Sequence, residues 1–116
     1  MHYTLEHLES HAVMIIHEER LDGETASEFK AEILLHSRSG MEVLFVDLSE
    51  VEFCDSSGLS ALLFAHREMK SAGGAAIFVG LSPSLLSYVT LSQLDRVLYL
   101  YESKEEALAD LEGEDE

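Results

Sequence analysis

The residues of this chain best suited to chemistry are an acid and two serines ahead of a glycine, in the segment Asp55-Ser56-Ser57-Gly58. An apolar stretch ends before this segment and helical apolar spacing begins after it, so we place the segment at the start of a helix. The unpaired N–H groups and the dipole of a helix N-terminus favour an anion there. A phosphate on Ser57, with about −1.5 to −2 charges, would therefore be stabilised. The competing interpretation is an ordinary helix cap, for which one such residue is enough.

Other reactive side chains give weaker signals. The single Cys54 is more typical of a small buried residue than of a nucleophile. The histidines, including His7, His11 and His17, lack the short paired spacings of a zinc site, so we expect no metal. Asp47 follows a strand as in receiver domains, but no well-placed lysine follows the last strand. The motifs of serine hydrolases and of nucleotide-binding loops are absent, so we expect neither an enzyme nor a cofactor.

The elements that must position this segment alternate in the order β-β-α-β-α-β-α-β-α, which indicates an α/β fold. We predict strands over 3–8, 12–17, 43–46, 75–79 and 97–100, and helices that begin near Asp22 or Thr25, near Ser57, at Ser82-Pro83 and after Ser103. Strand 43–46 is apolar throughout, as in a central strand buried on both faces. Parallel strands with right-handed crossovers would bring the loops 18–25 and 47–58 to the edge of the sheet where sites form.

Some residues mark the start and the inner faces of the predicted helices. Either Thr25 with Glu28 or Asp22 with Thr25 could form a capping box at the start of the first helix. Helical spacing places Leu34 and Leu86 on buried faces.

Composition limits the class of protein. The 116 residues suit one domain, 47% of them are hydrophobic, and we place the domain at 1–111 with an acidic, disordered tail at 112–116. One cysteine, no signal peptide and no apolar run of about 20 residues indicate a cytoplasmic protein without membrane insertion. The net charge of −16 disfavours nucleic acid as a partner. Two interpretations of this charge stay open: it attracts a protein with a basic face, or it only keeps the protein soluble.

The stretch 47–59, which reads Asp-Leu-Ser-x-Val-x-Phe-x-Asp-Ser-Ser-Gly-Leu, closely resembles the signature of STAS domains. It is most similar to the stand-alone anti-sigma factor antagonists of that family. Segments 21–26, 94–97 and 103–108 are also similar to family motifs, so the resemblance spans nearly the whole chain. It implies the STAS fold, a mixed, mainly parallel sheet of about four to five strands packed with about four helices. One departure is Glu19, which stands where the family often has glycine, two residues before Leu21.

The resemblance also implies a function. In that family the second serine of Asp-Ser-Ser-Gly is phosphorylated by an anti-sigma factor kinase that uses ATP, which makes Ser57 the implied acceptor. The unphosphorylated form binds the kinase and frees the sigma factor, phosphorylation blocks binding, and a serine phosphatase restores it. The chain would be a binding module rather than an enzyme, a monomer or weak homodimer without a cofactor. The implied partner-binding residues are Asp22, Thr25, Asp55, Ser56, Ser57 and Gly58.

Several of these residues have expected roles in the site. Ser56 caps the helix, and Asp55 either shapes the loop or assists the Ser57 hydroxyl during phosphoryl transfer. Gly58 leaves room beside that hydroxyl for another molecule. Asp22 lies near Ser57 at the contact surface.

Two other functions stay open at this point. A STAS domain can be a non-catalytic interaction subunit of a stress-signalling complex or of an ABC-type lipid or anion transporter, with Ser57 as a passive cap. The other alternative is a small hydrolase or nucleotide-binding protein, for which the sequence offers no acid–base set.

Overall fold

A five-stranded sheet forms the centre of this computed structural model, which describes residues 1–9 and 11–114. The elements are β1 (Tyr3–His7), β2 (His11–Ile16), β3 (Arg20–Leu21), α1 (Gly23–Ser37), β4 (Val43–Asp47), β5 (Phe53–Cys54), α2 (Ser56–Ser71), β6 (Ala75–Val79), α3 (Pro83–Leu91), a 3-10 turn (Leu94–Arg96), β7 (Tyr99–Tyr101) and α4 (Lys104–Glu114). β3 and β5 form a separate pair beside the main sheet. The predicted α/β fold with a mixed, mainly parallel sheet is confirmed.

The strand order of the main sheet is β1-β2-β4-β6-β7. β1 runs antiparallel to β2, and the other neighbouring pairs are parallel. In the central strand β4, Val46 lies between Met14 of β2 and Phe78 of β6. Leu44, Phe45 and Val46 are fully buried, as expected for an apolar strand covered on both faces. Because β2 and β4 are parallel, the loops that follow them lie at the same edge of the sheet.

Helices cover both faces of the sheet. α1, α2 and α3 pack on one face through buried side chains that include Phe29, Ile33, Leu62, Met69 and Val89. α4 lies on the other face, where Ala107 packs with Phe45 and Ile77. Burial of each large apolar side chain contributes roughly 1.5–3 kcal/mol, so these clusters stabilise the frame that carries the edge loops.

Three details of the predicted elements are wrong. The chain forms a 3-10 turn at Leu94–Arg96, so the last strand begins at Tyr99 and Val97 is exposed. Leu34 and Leu86 are also exposed rather than buried. Ile33 and Leu85, the residues just before them, are the buried ones. Because a helix turns by about 100° per residue, the side chain that follows a buried one points toward solvent.

The last helix is longer than predicted. α4 continues through Glu114, so the acidic tail predicted at 112–116 begins inside a helix. Residues 115 and 116 lie outside the described residues, as does Ser10 in the predicted turn at 9–11, and the predictions for them stay predictions. No helix within the described ranges is long and apolar enough to cross a membrane.

His66 is a buried histidine on α2. Its ring packs against Tyr99 with 5.4 Å between ring centroids, and its Nδ1 atom has no hydrogen-bond partner among the described residues. Burial, and then the charges of Lys70 and Arg67, lowers the pKa of His66 below its usual 6.5. The unfolded chain therefore takes up a proton on His66 at a higher pH than the folded chain does.

We expect the free energy of unfolding to fall as the pH drops from about 6.5 through the lower folded-state pKa of His66, because only the unfolded state gains the proton in that window. His66→Phe should reduce this loss, while His7→Phe, at an exposed position, should leave it unchanged. Urea unfolding of the parent and both variants at several pH values measures the effect. Equal acid dependence in all three proteins would contradict the assignment to His66.

Candidate functional site

The two loops at the carboxyl edge of the sheet are joined by the parallel strand pair β3–β5. Arg20 lies opposite Phe53, and Leu21 lies opposite Cys54. The Glu19 carbonyl also accepts hydrogen bonds from the N–H groups of Glu52 at 2.8 Å and of Phe53 at 3.0 Å. The starts of α1 and α2 are thus held side by side, as predicted for these loops. The pairing itself was not predicted, because strands of two residues leave no periodic signal in the sequence.

Asp55 is the N-cap of α2. Its Oδ1 atom accepts a hydrogen bond from the Gly58 N–H at 3.0 Å, which satisfies one of the free donors of the helix. The expectation that Ser56 caps the helix is wrong, since Ser56 is already the first helical residue. Aspartate caps as well as serine does, so the helix begins one residue earlier than predicted. This hydrogen bond supports the loop-shaping role among the two roles expected for Asp55.

Ser57 is exposed on the first turn of α2. Its hydroxyl makes no hydrogen bond to any residue in 1–9 or 11–114. The first N–H groups of a helix have no partner inside the helix, and the dipole adds positive charge at the same end. The Ser57 hydroxyl is therefore accessible, and it lies at the end of α2 where the helix dipole favours a negative charge.

Gly58 is buried where α2 passes β3. A Cβ atom on this residue would lie 2.2 Å from the carbonyl oxygen of Leu21 and 2.4 Å from the Sγ atom of Cys54. The space expected at Gly58 for another molecule is therefore filled by the protein itself, and that expectation is wrong. The absence of a side chain instead permits the close approach between α2 and β3.

Asp22 and Thr25 form the start of α1 through a capping box, one of the two that the sequence allows. The Thr25 hydroxyl accepts a hydrogen bond from the Asp22 N–H at 2.9 Å and donates to the Arg20 carbonyl at 3.0 Å. The Asp22 carboxylate is partly exposed and accepts a long hydrogen bond from Arg20 Nε at 3.5 Å. Because α1 begins beside α2, this carboxylate lies at the same edge of the protein as Ser57.

Cys54 lies below this surface with its side chain buried. Burial, and then the Asp55 carboxylate, raises the pKa of the Cys54 thiol to about 12. Such a thiol is neutral near pH 7 and a poor nucleophile, so the structure supports packing as the role of Cys54.

The surface beside the β3–β5 pair is acidic. A shallow depression there is lined by His17, Glu18, Glu19, Glu50 and Glu52. Arg20 brings one positive charge to this edge, but its guanidinium already lies 4.2 Å from the ring centroid of Phe53 and contacts Asp22. The surface beside the β3–β5 pair therefore suits a partner with basic side chains.

Known proteins share this architecture. The model of the STAS domain family matches residues 2–107. The anti-sigma factor antagonist SpoIIAA from Bacillus, in its unphosphorylated form, is similar with a TM-score of 0.76 and 23% identity, over 97% of each chain. An anti-sigma factor antagonist from Mycobacterium paratuberculosis is similar with a TM-score of 0.81 and 25% identity, over 94% of this chain and 92% of that one.

The same fold also occurs inside a larger protein. The murine anion transporter Slc26a9 is similar with a TM-score of 0.77 and 14% identity, over 93% of this chain and 18% of the transporter. At this level of identity the likeness shows the fold alone.

Proposed function

Because this chain belongs to the STAS domain family, we propose that it is an anti-sigma factor antagonist controlled by phosphorylation of Ser57. In the proposed cycle the unphosphorylated chain binds an anti-sigma factor that is also a serine kinase, so that a sigma factor is released. The kinase uses ATP to phosphorylate Ser57, which ends the binding, and a serine phosphatase reverses the modification. The chain acts in the cytoplasm as a binding module and performs no catalysis itself.

The observation that carries this proposal is the state of the Ser57 hydroxyl. It is exposed on the first turn of a helix, and it has no hydrogen bond within the described part of the chain. Asp55 and Gly58 perform the structural tasks of this turn, namely the cap and the close approach to β3. Ser57 is thus not needed for either structural task, which supports a role in contact with another molecule.

The charge of the surroundings supports the direction of the switch. Asp22, Asp55 and Glu52 already make this edge acidic, so a basic partner is attracted to it. A phosphate would add about −1.5 to −2 charges in the middle of the fitted contact. Unless the partner holds a cation at that point, the phosphate loses its hydration without compensation, and binding weakens.

Phosphorylation is tested with the purified chain, ATP and each candidate anti-sigma factor kinase of the source organism. We expect one phosphate per chain, located on Ser57 by mass spectrometry. Ser57→Ala should abolish the modification, and Ser60→Ala should leave its rate within about threefold, because Ser60 is exposed on the same helix but is neither the proposed acceptor nor an implied partner-binding residue.

Phosphate incorporation into Ser57→Ala equal to that of the parent would overturn the assignment of the acceptor. Phosphate found on Ser56 would do the same and would move the acceptor by one residue. If the parent chain accepts no phosphate from any of these kinases, the proposed switch itself is wrong.

The alternative is a non-catalytic STAS subunit of a transporter or of a stress-signalling complex, since the same fold also occurs as a part of an anion transporter. In that case the partner would bind whether or not Ser57 carries a phosphate. Binding to a transporter ATPase that is equal for the parent and for Ser57→Glu would favour this alternative over the switch.

A further inference from the structure

A cleft of about 300 Å³ opens between β5 and the start of α3. Its lining includes Phe53, Ser84, Leu85 and Tyr88. Leu85 is buried at the cleft, Tyr88 is partly buried, and Phe53 is 44% exposed. An exposed aromatic ring within an apolar concave surface is typical of a site that another molecule covers.

The cleft lies directly beside the first turn of α2. Asp55 belongs to its lining and is also the N-cap of that helix, two residues before Ser57. A protein interface of ordinary size buries about 800 Å² on each partner, far more than one serine can offer. An interface of that size centred on Ser57 therefore reaches the mouth of this cleft.

The rim of the cleft is acidic. Glu52 and Asp55 belong to its lining, and no lysine or arginine of the described residues lines it. Glu52 also borders the acidic depression beside the β3–β5 pair, so the negative surface continues away from the cleft. An occupant that is apolar at its tip and basic on its flanks complements both features.

Building on the proposed function, we infer that this cleft receives an apolar side chain of the partner kinase, carried on a segment with lysine or arginine beside it. The side chain packs against Phe53, Leu85 and Tyr88, and the flanking cations face Glu52 and Asp55. The cleft is thus an anchor for the kinase that lies next to the phosphorylated residue but is separate from it. Anchors of this kind, small apolar pockets near the centre of an interface, carry much of the binding energy of protein complexes.

The anchor is tested by blocking the cleft in the full chain with Ser84→Arg. The matched control is Ser87→Arg, an exposed residue of the same helix that does not line the cleft. Both variants add the same charge, so any difference between their affinities for the kinase comes from the position of the arginine inside or outside the cleft. In a titration with the kinase that phosphorylates Ser57, Ser84→Arg should weaken the affinity about tenfold or more, and Ser87→Arg should change it by less than about threefold.

Equal affinity of the two arginine variants would overturn the anchor even if Ser57 is phosphorylated as proposed. If the proposed function is wrong instead, no kinase modifies Ser57, and the parent chain then carries no phosphate. A measurement without kinase decides the cleft in either case, namely a nuclear magnetic resonance titration with the blocked peptide Arg-Leu-Arg and with Arg-Ser-Arg as control. We expect saturable shifts of the Phe53, Ser84 and Tyr88 amides with the leucine peptide only, and equal responses to both peptides would overturn the inference.

Discussion

Gly58→Ala is expected to lower the free energy of unfolding by about 3 kcal/mol, more than most single substitutions do. The added methyl carbon would lie 2.2 Å from the Leu21 carbonyl oxygen, and the pairing of β3 with β5 holds that backbone in place. The Cys54 Sγ atom, 2.4 Å away, is buried and would also have to shift. Alanine in a helix interior is normally favoured over glycine by about 1 kcal/mol, so the clash must exceed this gain.

Gly23→Ala is the matched control for this substitution. Gly23 also lies in the first turn of a helix, but a Cβ atom there would meet nothing within 4 Å. We expect the control to be as stable as the parent or more stable by less than about 1 kcal/mol. Urea unfolding of both variants gives the comparison. If Gly58→Ala proved as stable as Gly23→Ala, the close approach between α2 and β3 would not be the constraint that the geometry indicates.

Comparison of Gly58→Ala with a Ser57 variant separates the two tasks of the Asp-Ser-Ser-Gly segment. Gly58 has a structural task, since it allows α2 to start against β3 and so sets where Ser57 emerges. Ser57 itself is exposed and contributes little to the packing. A loss of partner binding in Gly58→Ala would therefore follow from a displaced α2, whereas the same loss in a Ser57 variant would report the contact itself.

The sheet could be predicted because burial leaves a pattern in the sequence. The apolar run at 43–46 belongs to the central strand β4, and the run at 75–79 is β6. Each run is covered on both faces, so nearly every position must be apolar. The exposure of apolar side chains on the helices was harder to predict. Leu86 is apolar in the sequence whether it packs on the core or, as here, is exposed to solvent.

The details of the site escaped sequence reasoning for a different reason. Asp55 and Ser56 are equally good caps, and only the actual start of the helix decides between them. The contact of Gly58 with Leu21 joins residues that are distant in the chain, and a glycine looks the same in sequence whether it faces a ligand or another strand. The cleft beside Phe53 depends on how α3 packs against β5, which no local pattern encodes.

The second large effect is expected on binding rather than on folding. Ser57→Glu should weaken the complex with the anti-sigma factor kinase by about a hundredfold, which is about 3 kcal/mol. In the proposed contact the cations of the partner face Glu52 and Asp55, so the introduced carboxylate at position 57 would be buried without a cation of its own and would lose its hydration. Phosphorylation of Ser57 should weaken binding at least as much, since a phosphate carries more charge. Calorimetric titration of the parent, Ser57→Glu and the phosphorylated chain measures the three affinities.

Ser71→Glu distinguishes a local effect from an effect of overall charge. Ser71 is exposed at the far end of α2, about 21 Å along the helix from Ser57, and its substitution changes the net charge by the same amount. With a Debye length of about 8 Å at physiological salt, a charge at that distance is largely screened from the contact. The control should thus bind within about threefold of the parent. If both glutamate variants lost affinity equally, the repulsion would come from the charge of the whole protein, and Ser57 would not be the point where phosphorylation acts on the interface.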